Sequence, residues 1–357
     1  MRIIVGVEHP KRVHFWKNAI NNLKRDGHEV KIVARVKDIS LYLLDAYGFE
    51  YEVYGMNYRG LIKKVYGMIE SDIKLLRITR KFKPDIFVGK GSAYLGQVSK
   101  LLGKPYICFS DTEHAKLANW FTHPFSDVIC TPSCFKGKID QKKHVMYNGY
   151  EELAYLHPNY FKPDPSVLDN LGLSKDDKFI VLRFVSWKAS HDIGQYGFKN
   201  TKIRFVKELE KYGKVFITSE TKLNKEFEKY RIRIPPEKMH DFLYYATLHV
   251  GESSTMATEA GILGTPSIHI SSLAPTMGNF EELENKYDIV YSFQDPNKAI
   301  EKTLELIEDK NLKKEWKRKR EKLLKDKIDV TKFMTEFIEN YPESFTEYKR
   351  KMMDNDV

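Results

Sequence analysis

Residues 1–35 read MRIIVGVEHPKRVHFWKNAINNLKRDGHEVKIVAR. Arg2 to Val7 is a short apolar run and reads as a buried strand. It ends at Glu8-His9-Pro10. Val13, Phe15, Trp16, Ala19, Ile20 and Leu23 then recur at helical spacing. Gly27-His28 stops that helix, and Glu29 to Ala34 reads as a second strand. A strand, a crossover helix and a second strand make the repeating unit of a parallel sheet, with a right-handed crossover.

The rhythm continues outward from this unit. Asp38 to Tyr47 is helical, Tyr51 to Tyr54 a strand, and Leu61 to Phe82 a long helix closed by Lys83-Pro84. Ile86 to Val88 is a strand, Ala93 to Leu102 a helix, and Tyr106 to Phe109 and Val128 to Cys130 are strands. His157-Pro158, Lys162-Pro163 and Asp164-Pro165 then interrupt the series with turn chemistry. A second series follows. Phe179 to Val185, Lys214 to Thr218, Leu248 to Val250 and Pro266 to Ile270 are strands. Thr201 to Tyr212, His240 to Ala246 and Met256 to Leu263 are helices. The expected fold is α/β, two doubly wound, Rossmann-like parallel-sheet domains over 1–160 and 161–330 with a ligand held in the cleft between them. Residues 331–357 are expected to form a helix returning to the first domain.

Bulk properties agree with two cores. The chain has 357 residues, 42% of them hydrophobic and 30% charged, which describes a folded globular protein of two domains rather than a disordered one. The net charge of +10 favours anionic partners. Much of the excess sits at Lys313, Lys314, Lys317, Arg318, Lys319 and Arg320, read as a solvated helix face. No RNA-recognition signature or zinc-finger spacing is present, so no nucleic-acid partner is expected. Cys108, Cys130 and Cys134 are too few for a disulfide framework and lack ligand spacing for zinc, which points to a reducing cytoplasm. No apolar run approaches the roughly 18 residues of a membrane span.

In doubly wound sheets, ligands collect beyond the carboxyl ends of the strands. The residues following strands here are Glu8, His9 and His14; Gly89 to Ser92; Asp111, Thr112, Glu113 and His114; Ser186 and His191, with Arg183 inside the preceding strand; and Glu252 to Thr255. The last group is the sharpest. Ser253, Ser254 and Thr255 stand where a strand turns into a helix, and free amides at a helix start suit a pyrophosphate. Glu259, about one turn on, can accept from two ribose hydroxyls. The same residues also read as ordinary N-caps, with Glu259 completing the cap.

The stretch Glu252 to Pro266, ESSTMATEAGILGTP, resembles the nucleotide-binding segment of the GT-B superfamily. That group includes the UDP-N-acetylglucosamine 2-epimerases and the glycosyltransferase of peptidoglycan lipid intermediates. The resemblance implies that Ser253, Ser254 and Thr255 contact a diphosphate and Glu259 a ribose. DTEHA, at Asp111 to Ala115, falls where the epimerases carry a catalytic Glu, matched by Glu113. RFVSWKASHD, at Arg183 to Asp192, falls where they carry a catalytic His, matched by His191. SDTEHA, GYEELAYLHPNYFKPD, VSWKASHD and GESSTMATEAGILGTP, in that order, resemble an uncharacterised, largely archaeal family, domain of unknown function 354. One departure stands out. The loop Gly89-Lys90-Gly91-Ser92 has no carboxylate, where the epimerases carry an acidic residue after the fourth strand. Lys90 there reads either as a phosphate-neutralising group or as a surface residue.

Three functions follow as expectations. The first is a metal-independent, nucleotide-sugar-dependent glycosyltransferase, with UDP the expected nucleotide, working in surface glycan or glycolipid synthesis. Its binding residues would be Ser253, Ser254, Thr255, Glu259, Arg183, Ser186 and Glu252. Its base would come from Glu113, His14, His191, His114 or Asp111. The second is a UDP-sugar 2-epimerase-like enzyme using Glu113 and His191. The third is a protein that binds a nucleotide sugar without turnover. No metal or other cofactor is expected. The expected partners are the nucleotide sugar and a glycan or lipid-linked acceptor, with contact between the basic C-terminal helix and the inner membrane face as the alternative to a solvated helix.

Overall fold

The computed structural model of the chain describes residues 1–56, 61–113, 116–185, 202–219, 223–272 and 277–355. The chain divides into two compact units: Met1–Tyr160 together with Ile328–Val357, and Phe161–Lys327.

In the first unit, seven strands form one parallel sheet. They are β1 (Arg2–Val7), β2 (Glu29–Val36), β3 (Tyr51–Met56), β4 (Ile86–Lys90), β5 (Tyr106–Phe109), β6 (Val128–Pro132) and β7 (His144–Tyr147). Their order is β3-β2-β1-β4-β5-β6-β7. Ile3 pairs with Val30 of β2 on one side and Ile86 of β4 on the other. Helices cover both faces, so a central strand is apolar throughout rather than alternating; Ile3, Ile4, Val5 and Val7 are fully buried. Gly6 interrupts that run because the helix Ala93–Leu101 packs directly upon it. A Cβ at residue 6 would stand 2.7 Å from Leu95 Cδ2.

The C-terminal segment is part of this unit. Thr331 donates to the Ala154 carbonyl at 2.6 Å, and Phe333 stacks on Tyr147 with ring centroids 5.2 Å apart. Lys349 donates to the carbonyls of Gln141 and His144, at 2.6 Å each.

The second unit carries five parallel strands, β8 (Phe179–Phe184), β9 (Lys214–Ser219), β10 (Leu248–Gly251), β11 (Ser267–Ile270) and β12 (Val290–Phe293), in the order β12-β11-β10-β8-β9. The helix Ser254–Leu263 joins β10 to β11. It begins two residues earlier than its apolar pattern suggests, because the Ser253 side chain caps it, and it ends at Gly264 with φ of 85°. That left-handed conformation is what a terminal glycine supplies.

The α/β class and both doubly wound sheets agree with the alternation in the sequence. Two strands were not legible there. β7 and β12 are four-residue edge strands, and each is held by pairing to one neighbour: Ile129 to His144, and Ser267 to Val290. Unlike the equally short β5, β10 and β11, neither is buried along its whole length: Met146 is exposed, and Tyr291, Ser292 and Phe293 are only half-buried.

In both sheets the direction of strand addition reverses once. In the first unit the reversal lies between β1 and β4, and in the second between β8 and β10. Loops leaving the carboxyl ends of such a pair diverge to opposite faces and leave a crevice, the usual ligand position in this architecture.

Candidate functional site

At the second unit's switch point, Gly251 of β10 pairs with Arg183 of β8. A Cβ at residue 251 would lie 2.7 Å from Arg183 Cβ and 3.0 Å from its carbonyl oxygen, so only glycine permits this approach. Glu252 follows, 4% exposed. Its amide donates to the Arg183 carbonyl at 2.9 Å, and its Oε2 accepts from the Val185 amide at 3.0 Å. Lys202 Nζ lies 3.4 Å from the same oxygen. Glu252 therefore clamps the ends of β8 and β10 together and shapes the turn from inside.

Beyond that clamp, Ser253 Oγ accepts from the Met256 amide at 3.4 Å. Ser254 Oγ stands 3.3 Å from His269 Nε2, and Thr255 completes the first turn, half-buried. The ten-residue helix has no acidic residue in its first turn, so the positive end of its dipole is not offset by its own side chains. Glu259 does not cap the helix. It is 6% exposed, and its Oε1 lies 3.0 Å from His240 Nε2. Arg183 extends from β8 to donate to Thr218 Oγ1 at 3.0 Å. Ser186 and His191 lie outside the described residues.

The first unit's switch point holds two linked polar groups. In the first, Glu8 at the end of β1 accepts from Arg12 Nη1 at 2.7 Å, and from the hydroxyls of Tyr54 and Ser92. A carboxylate thus reaches the loop after β4 from β1.

In the second group, Lys90 ends β4 with its side chain 11% exposed. It is not a surface residue. Its ammonium lies 2.6 Å from Asp111 Oδ1 and also bonds Glu151 Oε2. Lys11, in the first turn of the helix Pro10–Arg25, reaches Asp111 Oδ2 at 3.3 Å, Glu151 Oε2 at 3.2 Å and Glu152 Oε1 at 2.9 Å. Burial opposes ionisation of Asp111, but Lys90 and Lys11 outweigh it and hold that carboxyl well below its usual range. At Glu151, burial and then the Asp111 charge outweigh the same lysines and push the carboxyl up to about 8. His9 caps the helix by accepting from the Lys11 amide at 3.2 Å. Burial, followed by Lys37, Arg12, Lys90 and Lys11, pushes its imidazole down to about 3 and keeps it neutral.

Of the first-unit candidates, Asp111 is drawn into this group. Glu113 accepts from the Lys136 amide at 3.3 Å. His14 is 8% exposed, with Nδ1 3.1 Å from the Tyr47 hydroxyl and its ring against Tyr155. His114 lies outside the described residues. Glu151 and Glu152 follow β7, a strand with no legible sequence pattern, and Lys11 follows β1 as one of several charged residues in that loop and helix start. The only signal for Glu151 and Glu152 was their place in the motif GYEELAYLHPNYFKPD, and Lys11 stands three residues past Glu8.

A family model described as "protein of unknown function (DUF354)" matches residues 1–343. The chain belongs to this family. An uncharacterized protein of Methanocaldococcus jannaschii is 24% identical over 276 residues, 74% of this chain and 80% of that one. The UDP-N-acetylglucosamine–N-acetylmuramyl-(pentapeptide) pyrophosphoryl-undecaprenol N-acetylglucosamine transferase of Bacillus cytotoxicus is 26% identical over 259 residues, 68% of this chain and 67% of that one. Among solved structures, the UDP-GlcNAc 2-epimerase of Neisseria meningitidis, bound to UDP-GlcNAc, superposes with a TM-score of 0.70 at 13% identity, over 95% of this chain and 99% of that one. That likeness is one of fold, and it places this DUF354 chain among proteins with the GT-B fold.

Proposed function

We propose that this DUF354 protein is a GT-B glycosyltransferase that uses a nucleotide-diphosphate sugar, UDP being the expected nucleotide. The observation carrying the reading is the turn Gly251–Ser254 at the second unit's switch point. It presents helix-start amides and two serine hydroxyls on a backbone fixed by Gly251 and the buried Glu252. Such preorganised donors stabilise the charge that develops on a departing diphosphate, so no metal is needed for that task. Glu259, oriented by His240, takes the ribose. Arg183, Glu252, Thr255 and Ser186 complete the nucleotide site. Asp111 is the favoured base, with Glu113, His14, His114 and His191 as the other candidates. The acceptor is a glycan or lipid-linked hydroxyl at the inner membrane face; the lipid-linked substrate in the name of the Bacillus relative supports that choice.

A second reading, sugar-nucleotide epimerisation, is favoured by one observation. Asp111 and Glu151 set two carboxyls side by side at the first unit's switch point, and an epimerase needs a group that removes and returns protons.

The deciding experiment is a thermal-shift series with UDP, GDP, CMP and TDP and their sugar conjugates. A ligand that binds only the folded chain should stabilise it by about 3 kcal/mol at a hundredfold excess over Kd. The expected result is a shift with UDP or its conjugates that is lost in Glu259→Ala. No shift with any nucleotide removes the reading. Nucleotide release that depends on an added acceptor then supports the transferase, and a changed sugar without acceptor supports the epimerase.

A further inference from the structure

The group formed by Lys11, Lys90, Asp111, Glu151 and Glu152 sets two ammonium groups against three carboxyls. Both lysines meet Glu151 at Oε2, and among the described residues no donor reaches Oε1, which is buried. The Glu151 residue is 2% exposed. The Asp111 and Glu151 carboxyls stand side by side on the same two lysines: Lys90 reaches Asp111 Oδ1 at 2.6 Å and Glu151 Oε2, and Lys11 reaches Asp111 Oδ2 at 3.3 Å and Glu151 Oε2 at 3.2 Å. Two ionised carboxylates at that range repel, and a buried oxygen without a donor carries its full desolvation cost. A single proton between them removes both penalties. It supplies the missing donor and brings the group from one net negative charge to none.

We infer that Asp111 and Glu151 share one proton, and that this pair is the proton-transfer group of the first unit, acting on a hydroxyl of a sugar or other alcohol bound beyond β1, β4 and β5. The substrate class follows from the charge. With the proton shared the group is neutral and with the proton lost it carries one negative charge, so neither state attracts a phosphate. A hydroxyl can both donate to Asp111 and accept from a lysine. Asp111 meets the substrate because its side chain is 19% exposed, against 2% for Glu151. Glu151 is a positioning residue that acts through Asp111.

The other groups facing the pair fit this role. Glu152 neutralises part of Lys11, and His9 stays uncharged. Tyr147 of β7 is buried, and burial, followed by Glu151 and Asp111, holds its hydroxyl well above its usual range. The proton belongs to the pair rather than to either residue, and the rise at Glu151 to about 8 puts it where a proton carrier at neutral pH works best.

The identity of the chemical step rests on the transferase reading. With the pair fully ionised, Asp111 takes the acceptor's hydroxyl proton as the acceptor oxygen bonds to the anomeric carbon. The bond from that carbon to the nucleoside diphosphate breaks, and the diphosphate leaves with its electron pair. The pair then returns its proton to water.

The shared proton is testable without any substrate. Infrared difference spectra of the full chain, wild type minus Glu151→Gln, should show a protonated-carboxyl stretch at pH 7 that fades as pH passes about 8. Asp111→Asn should abolish the band at pH 7, since Glu151 then ionises between two lysines. This second variant keeps the test open should Glu151→Gln not fold. No carboxyl band in the wild type, or a band unchanged in Asp111→Asn, overturns the inference. Where transfer is measured, kcat should rise with pH and level off above about 8 in the wild type, and this limb should vanish in Glu151→Gln. A limb that survives in the variant also overturns it. A band present in a protein that binds no nucleotide supports the shared proton and sinks the transferase reading alone.

Discussion

His240 and Glu259 meet inside the second unit with Nε2 3.0 Å from Oε1, the two residues 4% and 6% exposed. The pair joins the helix Met239–Tyr245 to the helix Ser254–Leu263, which opens at the proposed nucleotide turn. A carboxylate this buried is held in one orientation by its donor, so His240 should matter to the nucleotide without touching it. His240→Ala should cost about 1–3 kcal/mol, the usual range for a hydrogen bond lost to a buried polar group. It should also weaken UDP binding. Urea denaturation and calorimetric titration read the two effects separately, and unaltered UDP affinity in a destabilised variant would sink the positioning role.

Ser253 separates capping from ligand binding. Ser253→Ala should lose about 1 kcal/mol with the cap. Ser253→Asp should keep the cap, and thus most of the stability, while placing a negative charge where the diphosphate belongs. The expected outcome is a near-normal Tm and a lost UDP shift. Normal UDP binding in Ser253→Asp would move the diphosphate elsewhere.

Gly251→Ala should be destabilising by about 1–3 kcal/mol, the usual cost of overpacking, because the new methyl meets the Cβ and the carbonyl oxygen of Arg183, neither of which can swing aside. Chemical denaturation checks this, and a neutral substitution would show that β8 and β10 separate easily.

Lys90→Met removes one of two cations that hold Asp111 and Glu151. Breaking such a buried set should cost about 3 kcal/mol, at the low end for buried ion pairs because the group is partly open to water. Lys90→Arg should cost less. Equal stability of Lys90→Met and the wild type would mean that the lysine contributes no net attraction.

Acid should destabilise the second unit through its histidines. His249 and His269 are fully buried, and that burial pushes each imidazole down to about 3. The unfolded chain takes up these protons near the ordinary pKa of 6.5, whereas the folded chain refuses them until about 3. Their neutral forms therefore support the fold fully above pH 6.5, and the support drains as pH falls toward 3. Urea midpoints should drop between pH 7 and 5, and His249→Asn should flatten part of that drop. A flat wild-type curve would contradict the assignment.

The sequence by itself determined the class of fold, ten of the twelve described strands and the turn that opens the helix Ser254–Leu263. These are local properties. Ile3, Ile4 and Val5 form a continuous apolar run because a doubly covered strand must, and Ser253 precedes its helix because a helix start needs a side-chain acceptor. Tertiary structure decided the rest. His144 to Tyr147 becomes β7 only by pairing with β6, and only then do Glu151 and Glu152 arrive beside Lys11 and Lys90. Glu8 reaches from β1 to Ser92 in the loop after β4, a contact that no spacing in the sequence shows. In a parallel sheet, neighbouring strand ends come from distant parts of the chain, so a charge group built across four of them leaves no spacing in the sequence to read.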